Sequence, residues 1–354
     1  MEKVRIGLIG AGNIANTHLN AYKSVPEAEI VAICDINEKN LNETADKFGI
    51  EARYTSLEDM LASEKLDAAD VCVWNCNHAK CTIAALNAGL HVLCEKPMAT
   101  SAKEAEEMRA AAAKNGKLLM IGFVLRFMEE CIVAKDFIDN DYLGDIYYSK
   151  ATYLRRHGAP GGWFTDKAYS SGGPVIDLGV HVIDLTRYLM GRPKVKSVFA
   201  SVESRLGKRD HLKTNVGWMP KDNGIAYEYN VEDLGVALIK YDGGQTTLLE
   251  TSYSLNGESK GTKELYGTKG GMLLDNGLFK IFTEYNGYLA DVTPSINNRK
   301  GASEGFTAEM QHFVDCILGK CECIATADDG IEIMKILDAI YESGRTGHEV
   351  VIAD

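Results

Sequence analysis

The chain is predicted to be an α/β protein, with an N-terminal doubly wound parallel sheet and a C-terminal α+β domain built on a large, mostly antiparallel sheet. Short apolar runs alternate with amphipathic stretches in the N-terminal third, which is the pattern of βαβ units with right-handed crossovers. After Gly122 the pattern changes to alternating strands with few helices. The length of 354 residues suits two domains, which we place at residues 1–122 and 123–354.

The first domain is predicted to alternate buried strands with amphipathic helices. Its apolar runs are continuous, as expected for strands that are covered on both faces of a parallel sheet. The predicted strands are Val4–Gly10, Ile30–Asp35, Ala69–Trp74, Leu90–Glu95 and Leu118–Phe123. The predicted helices are Asn13–Ser24, Glu38–Phe48, Ser56–Ala62, Lys80–Ala88 and Ser101–Asn115.

The second domain is predicted to form antiparallel hairpins, because its strands alternate apolar with polar positions and are joined by glycine turns such as Asp242-Gly243-Gly244 and Asn276-Gly277. The predicted strands are Ile146–Arg155, Val195–Leu206, Asp233–Tyr241, Gln245–Ser254, Lys263–Gly267, Gly271–Asp275 and Leu278–Phe282. The predicted helices are Glu129–Asp139, Pro174–Met190, Thr307–Leu318 and Asp328–Ser343, the last of them stopped by Gly344. Helices on one face would leave the other face for a second subunit, so we expect a homodimer or homotetramer.

Acidic residues outnumber basic ones by 50 to 38, which gives a formal net charge of -12 and a pI near 5.2. Surfaces that bind nucleic acid or anionic membranes carry basic patches, so neither partner is expected. No apolar run approaches the length of a membrane span, and Met1 leads into the first strand without a signal peptide. We therefore expect a cytoplasmic protein.

The nine cysteines follow no disulfide framework and fit reduced thiols in a cytoplasm. Cys72, Cys76 and Cys81 form one group along the chain, and Cys321 and Cys323 form another. Neither group has the paired spacing and histidines of a zinc site, so no metal site is predicted.

A glycine fingerprint, Gly10-x-Gly12-x-x-Ala15, stands between the first strand and the first helix. Gly10 permits the tight turn, Gly12 permits close approach of a pyrophosphate, and Ala15 permits close packing of helix on strand. Asp35 ends the second strand about 20 residues later, where a carboxylate binds the adenosine ribose and repels a 2′-phosphate. The predicted cofactor is therefore NAD rather than NADP on a Rossmann domain, with Asn13 and Ile14 contributing the start of the helix. The alternative is a simple strand-to-helix turn with a capping aspartate.

Lys96 stands at the end of a predicted buried strand, in the stretch Cys94-Glu95-Lys96-Pro97. An ammonium group in that position is costly to desolvate unless an anion or a reaction uses it. A lysine on a later strand of a dinucleotide-binding sheet suggests hydride transfer with a positioned proton acceptor. The alternative is a surface lysine before a proline that starts a helix.

A second signature runs from Ser171 to Asp184, where Gly-Gly-Pro starts a predicted helix. The helix would present Asp177 and His181 on one face, with Asp184 one turn beyond. The histidine can take a proton from a substrate hydroxyl, and the carboxylate can bind the substrate or the imidazole. Two alternatives are a metal pair, which lacks an obvious third ligand, and a buried histidine with a capping aspartate.

A glycine-rich loop follows the strand that ends near Arg155. It carries the donors Arg155, Arg156 and His157 beside the indole of Trp163. Hydroxyl groups of a sugar ring need such donors, and the C–H face of the ring stacks on indole. The alternative is a solvated loop with an anchored tryptophan.

Three motifs in this order resemble the Gfo/Idh/MocA oxidoreductases, which include glucose–fructose oxidoreductase and inositol 2-dehydrogenase. They are Gly-Ala-Gly-Asn-Ile-Ala near residue 10, Cys-Glu-Lys-Pro at 94–97, and Gly-Gly-Pro-x-x-Asp-x-Gly-x-His-x-Ile-Asp-Leu at 172–185. The resemblance implies that Lys96 and His181 contact the reacting hydroxyl and that Asp177 binds substrate. It also implies that Glu95 and Lys96 contact the nicotinamide and that the loop lines the substrate cleft. Asn75 and His78 match family positions near the cofactor, although Val73-Trp74 replaces the usual Thr-Pro.

These observations favour an NAD-dependent dehydrogenase that oxidises a secondary hydroxyl of a sugar, glycoside or cyclitol. An alternative enzyme would use the same site for redox-assisted cleavage of a glycoside, in which a transient ketone acidifies the neighbouring C–H. A non-catalytic protein that senses a sugar or dinucleotide is the third possibility. Retention of both Lys96 and His181 favours catalysis over sensing.

Overall fold

The computed structural model describes residues 3–214, 219–221, 223–275, 278–296 and 302–352. The chain forms two compact units, and each is built from separate segments. The first contains Met1–Phe127, Pro220–Ala226 and Gly301–Met334, and the second contains Met128–Met219, Tyr227–Lys300 and Lys335–Asp354. The long segment of the first unit ends close to the boundary predicted at residue 122.

The return of the C-terminal segment to the first unit is a difference from the predicted single boundary. Its physical reason is backbone pairing: the Ile121 N–H donates to the Ala325 carbonyl at 3.0 Å, and Met120 forms a bridge with Thr326. The buried guanidinium of Arg126 adds an ion pair with Asp329 at 2.8 Å. Such long-range pairing leaves no local pattern in the sequence.

The first unit contains a six-stranded parallel sheet in the order β3-β2-β1-β4-β5-β6. Its strands are β1 (Val4–Ile9), β2 (Ala28–Cys34), β3 (Ala52–Tyr54), β4 (Ala68–Val71), β5 (His91–Glu95) and β6 (Leu119–Gly122). The helices from the N-terminal segment are α1 (Asn13–Tyr22), α2 (Glu38–Phe48), α3 (Leu57–Ser63), α4 (His78–Asn87) and α5 (Ala102–Asn115). This order confirms the doubly wound sheet, and it adds the edge strand β3, which is too short to show a pattern.

The second unit contains a nine-stranded sheet in the order β14-β13-β12-β11-β7-β10-β9-β8-β15. Its strands are β7 (Ile146–Leu154), β8 (Val195–Glu203), β9 (Leu234–Tyr241), β10 (Thr246–Ser252), β11 (Thr262–Gly267), β12 (Gly271–Asp275), β13 (Leu278–Tyr285), β14 (Tyr288–Val292) and β15 (Val350–Val351). Neighbours are antiparallel except β7 and β10, which are parallel. The mostly antiparallel sheet is thus confirmed; β14 and β15 were not predicted, and the predicted turn at 276–277 lies outside the described residues.

The later helices are α6 (Glu129–Asp139), α7 (Lys167–Ser170), α8 (Val180–Leu189), α9 (Ala302–Ile317) and α10 (Ala327–Thr346). The prediction that Gly344 stops the last helix is wrong, because α10 continues to Thr346 and Gly347 takes the left-handed conformation (φ 73°). Gly344 serves packing: a Cβ there would lie 2.7 Å from a Val202 methyl carbon. None of the described helices is both long enough and apolar enough to cross a bilayer.

Candidate functional site

The turn between β1 and α1 has the geometry of a phosphate-binding loop. Gly10 adopts φ +106°, and a Cβ there would lie 2.4 Å from the carbonyl oxygen of Cys72. Gly12 is the N-cap of α1, and no side chain caps this helix end within the described part of the chain. No described atom lies within 4 Å of where a Gly12 Cβ would stand. The first-turn N–H groups of α1, starting at Asn13 and Ile14, therefore fit a dinucleotide pyrophosphate.

Asp35 follows β2 and lies beside this turn. Its Oδ2 accepts from the Ala11 N–H and its Oδ1 accepts from the Asn37 N–H, both at 2.7 Å. Burial raises the pKa of the Asp35 carboxyl, and the two N–H donors and the nearby Lys221 ammonium act in the opposite direction. Each carboxylate oxygen retains a lone pair for a ribose hydroxyl, so the residue fits the predicted role.

Lys221 was not predicted to lie near this site, because it is far along the chain from Asp35. Its Nζ lies 3.4 Å from the Thr44 hydroxyl and 4.0 Å from a carboxylate oxygen of Glu43. The segment 220–226 packs with the first unit. A cation thus stands near the carboxylate that was predicted to select NAD.

Lys96 follows β5 and is half-buried. Its N–H donates to Oε2 of Glu95 at 3.0 Å, and a cis peptide bond joins it to Pro97. Asn75, buried, begins a short 3₁₀ turn after β4. The fingerprint, Asp35, Asn75 and Lys96 all follow carboxyl ends of parallel strands. In doubly wound sheets, the ligand crevice lies at this edge, where the strand order reverses between β1 and β4.

His78 was predicted to lie near the cofactor, but its ring contacts backbone carbonyls. Its Nδ1 lies 2.6 Å from the Pro97 carbonyl oxygen and its Nε2 lies 3.1 Å from that of Val73. Burial lowers the pKa of His78, so we assign the neutral ring with the proton on Nδ1, donated to Pro97. This arrangement favours a role in positioning the turn after Lys96 over direct contact with the cofactor.

A buried network stands behind Glu95. His18 in α1 contacts Oε1 of Glu95 through Nε2 at 3.1 Å and Oδ2 of Asp70 through Nδ1 at 2.9 Å. Burial opposes a charge on His18, but Asp70 and Cys72 together raise the pKa of His18 well above its ordinary value. The imidazolium donates to both carboxylates, so the Glu95 carboxylate is held from one side by His18 and from the other by the N–H of Lys96.

His18 and Asp70 were not predicted from the sequence to belong to this network. Two signals were present: a histidine on the apolar face of α1, and an aspartate inside the buried strand β4. Either feature alone is more often structural. Only the fold shows that both connect to Glu95, the residue before Lys96.

In the second unit, the carboxylate of Asp177 is buried and tied to a phenol. The Tyr253 hydroxyl donates to Oδ2 of Asp177 at 2.8 Å. Burial raises the pKa of Tyr253, and the charge of Asp177 raises it further, so the phenol stays protonated as a donor. The Arg155 guanidinium donates to the Tyr153 hydroxyl at 3.2 Å and to the Gly158 carbonyl at 3.0 Å.

The helix that carries Asp177 and His181 differs from the prediction. The predicted α-helix over Pro174–Met190 starts with a π-helical turn at Val175–Gly179, and α8 begins only at Val180. Because Asp177 lies in a π-helical turn, the α-helical i,i+4 spacing does not place it on one face with His181. Glu232 anchors this turn by accepting from the Val175 N–H at 3.1 Å. Asp184 is buried in α8.

The residues of the predicted sugar-binding loop differ in their exposure and in their contacts. Arg156 is exposed, and its N–H donates to the Ser259 hydroxyl at 3.1 Å. The backbone of His157 bridges to Ser254, and its buried Nδ1 finds no hydrogen-bond partner among the residues that the structure describes. Trp163 packs on Phe164 with ring centroids 3.8 Å apart. A backbone bridge thus holds His157 and a ring contact holds Trp163, whereas the Arg156 side chain is exposed.

The chain matches two family models in succession. Residues 4–123 match the Gfo/Idh/MocA oxidoreductase family, NAD-binding Rossmann fold, and residues 135–352 match the C-terminal alpha/beta domain of the same family. Together the two matches cover nearly the whole chain and confirm both the predicted family and the predicted class of fold.

Similar proteins act on sugars and cyclitols. A D-glucoside 3-dehydrogenase of Escherichia coli (strain K12) is 34% identical over 352 residues, which are 98% of this chain and 97% of that protein. A myo-inositol 2-dehydrogenase of Thermotoga maritima is 27% identical over 277 residues, 77% of this chain and 75% of that protein. The structure of levoglucosan dehydrogenase with NADH has a TM-score of 0.87 at 22% identity and covers 100% of both chains, which shows the shared fold. The chain therefore belongs to the Gfo/Idh/MocA family of oxidoreductases.

Proposed function

We propose that this protein oxidises the C3 hydroxyl of D-glucosides with NAD+ and releases 3-keto glucosides and NADH. The observation that carries the proposal is the similarity, over almost the full length of both chains, to a D-glucoside 3-dehydrogenase. The ionisable groups that such a reaction needs, Lys96, Asp177 and His181, are present. Because other relatives act on inositols, a cyclitol is the substrate class that the experiment must separate from a glucoside.

The preferred cofactor is NAD. Asp35 supports this preference, because its buried carboxylate has lone pairs left for the ribose hydroxyls and would repel a 2′-phosphate. The turn at Gly10 and Gly12 and the uncapped start of α1 would hold the pyrophosphate. Glu95, Lys96 and Asn75 would face the nicotinamide end.

The chain's own residues handle the proton and the substrate. NAD+, when bound, accepts the hydride of the carbinol carbon. Lys96 Nζ or His181 would take the hydroxyl proton. Asp177 accepts from a neighbouring ring hydroxyl, with its carboxylate oriented by the phenol of Tyr253.

The loop after β7 would bind the rest of the sugar. Arg155 uses two of its five N–H donors on Tyr153 and Gly158, so further donors remain for ring hydroxyls. The buried Nδ1 of His157 would meet a substrate hydroxyl, and Trp163 would stack on the C–H face of the ring. Arg156 would contribute at the outer rim.

The test is a substrate screen with NAD reduction as the first readout. Methyl glucosides, free aldoses and inositols are compared at equal concentration, and the carbon oxidised is identified by NMR of the product. We expect the highest kcat/KM for a glucoside and a ketone at C3. A higher kcat/KM for an inositol would contradict the glucoside assignment.

The same assay separates the two alternatives. A glycoside-cleaving enzyme would release the aglycone with no net NADH, because the cofactor is regenerated in each turnover. A sensor would bind the sugar, measured by calorimetry, and reduce no NAD with any of these substrates.

A further inference from the structure

One histidine and three cysteines cluster at the C-terminal end of α9 and in the segment that follows it. His312 and Cys316 stand at positions i and i+4 of α9 and so share one face of the helix. The chain then turns at Gly319, which adopts φ +69° and donates to the Cys316 carbonyl at 3.1 Å. This turn directs Cys321 and Cys323 back towards the helix end.

The ligand atoms of three residues lie close enough together to hold one metal ion. The Sγ atoms of Cys316 and Cys321 are 3.6 Å apart. Nε2 of His312 lies 3.4 Å from the Cys316 sulfur, whereas the Cys321 sulfur lies 3.5 Å from Nδ1. One ligand atom from each of His312, Cys316 and Cys321 lies within 4.8 Å of the other two. Zinc with Zn–S bonds of about 2.3 Å and a Zn–N bond of about 2.0 Å sets its tetrahedral ligands about 3.8 Å (S···S) and about 3.5 Å (S···N) apart.

Cys323 is placed to supply a fourth ligand, because its thiol forms a hydrogen bond with that of Cys316. A divalent metal would compensate the charge of thiolates held this close together.

The state of His312 suits ligation. The Ile324 N–H donates to Nε2 at 3.1 Å, which places the ring proton on Nδ1 and the lone pair on Nε2, the nitrogen beside Cys316. When Nε2 binds a metal, the Ile324 N–H needs another acceptor, and a thiolate sulfur lies within the same cluster.

We propose that Cys316, Cys321, Cys323 and His312 bind a structural zinc ion. Binding would displace three thiol protons and leave a tetrahedral Cys₃His site. The ion would join the end of α9 to the segment before α10, whose Ile324 carbonyl accepts from Arg126. This proposal departs from the expectation of no zinc site, because the spacing His-x3-Cys-x4-Cys-x-Cys contains no Cys-x2-Cys pair and depends on a helical turn.

The experiment measures metal in the full-length protein, expressed with added zinc and purified under reducing conditions without chelator. We expect about one zinc per chain by plasma mass spectrometry. Cys316→Ser and Cys321→Ser should each bring this below about a tenth of an ion per chain, whereas Cys81→Ser, a partly buried cysteine of α4 outside the cluster, should retain it. Cobalt in place of zinc should give the visible absorption bands of a tetrahedral thiolate site, with the sulfur-to-cobalt band lost in Cys321→Ser.

A second measurement uses only the parent protein, so it does not depend on whether the variants fold. Removing zinc from the parent protein with a chelator should lower its Tm, and adding zinc back should restore it. Parent protein without zinc after loading would overturn the proposal. A double variant Cys316→Ser/Cys321→Ser that keeps a full equivalent of zinc would also overturn it. So would a Cys316–Cys321 disulfide in parent protein that was purified under reducing conditions.

Discussion

At the scale of single residues, the proton acceptor can be assigned by comparing two variants. Lys96→Met and His181→Ala should each lower kcat by about 100-fold or more, because general acid–base catalysis contributes that much. If His181 is the base, the parent's kcat rises with pH in the range where imidazoles titrate, and His181→Ala loses this rise. If Lys96 is the base, the rise survives in His181→Ala at reduced amplitude.

The measurement is a pH–rate profile for the parent and both variants, with NAD affinity recorded separately. NAD binding to Lys96→Met should stay within a few-fold of the parent, which distinguishes lost chemistry from lost cofactor. Asp177→Ala should raise KM more than it lowers kcat, because the carboxylate is proposed to bind a neighbouring hydroxyl of the substrate. Full activity in His181→Ala would make the histidine structural.

Cofactor choice is also a property of single residues. Asp35→Ser should lower kcat/KM for NAD by about tenfold or more, because hydrogen bonds to a charged group are lost. The same change should raise kcat/KM for NADP, because the carboxylate that repels a 2′-phosphate is gone and the Lys221 ammonium remains near its position. In the double variant Asp35→Ser/Lys221→Met, kcat/KM for NADP should fall again. An unchanged NAD-to-NADP ratio in Asp35→Ser would show that this residue does not read the ribose.

The buried charge of His18 predicts a pH-dependent stability. His18→Gln should lower the free energy of unfolding by about 3 kcal/mol or more, since it leaves Asp70 and Glu95 buried without their cation. The folded state raises the pKa of His18, so this stabilisation is complete below the unfolded pKa and declines as pH rises through the folded one. Urea unfolding from about pH 6 to about pH 9 should show the parent and variant converging. Asn20→Gln, on the exposed side of α1, is the control; a difference that is constant with pH would mean that His18 is neutral.

At the scale of elements, Gly344 shows how packing overrides helix propensity. Alanine is the better helix former by about 1 kcal/mol, yet Gly344→Ala should destabilise the protein by about 1–3 kcal/mol. The added Cβ would lie 2.7 Å and 2.9 Å from carbon atoms of Val202 on β8. Combining it with Val202→Ala should recover part of the loss, measured as a coupling energy in a double-mutant cycle. If Gly344→Ala is instead more stable than the parent, β8 and α10 must move apart enough at this contact to accommodate the added methyl group.

The elements that could be predicted from sequence are those with a strong local pattern. The buried strands β1 and β5 are mostly apolar, and β9 alternates as expected, with Ala237 and Ile239 buried and Leu238 exposed. β3 and β15 are too short to show a period. The π-helical turn at Val175–Gly179 has no sequence signature, and it depends on Glu232, which is distant in the chain.

The site shows the same division. The glycine fingerprint, Asp35 and Lys96 could be proposed from the sequence because each has a fixed place relative to a strand end. His18, Asp70 and Lys221 could not, because their roles depend on contacts between residues far apart in sequence. The histidine–cysteine cluster combines both cases: His312 and Cys316 are a helical pair, but the turn at Gly319 decides which cysteines join them.

At the scale of the whole molecule, the nine-stranded sheet has an apolar face that predicts self-association. In this face Phe199 of β8 pairs with Leu238 of β9, which pairs in turn with Leu248 of β10. Phe199 is 53% exposed and Leu238 is 39% exposed in the single chain. Helix α8 packs on β7 and β11 in the same unit. We infer that a second copy of this chain covers the apolar face, because a cyclic dimer buries the same patch of both subunits.

The oligomer prediction is tested by placing a charge in the centre of this face. Leu238→Lys should convert a dimer or tetramer into a monomer of 38.7 kDa, the mass of one chain, because an ammonium buried in an apolar interface lacks a partner. Ile132→Lys is the matched control, since Ile132 is an exposed apolar residue on α6 (57% exposed) rather than on the sheet. Light scattering of parent and both variants at micromolar concentration gives the masses. A parent that is already monomeric would contradict the prediction, and dissociation by Ile132→Lys alone would move the interface from the sheet to the helix.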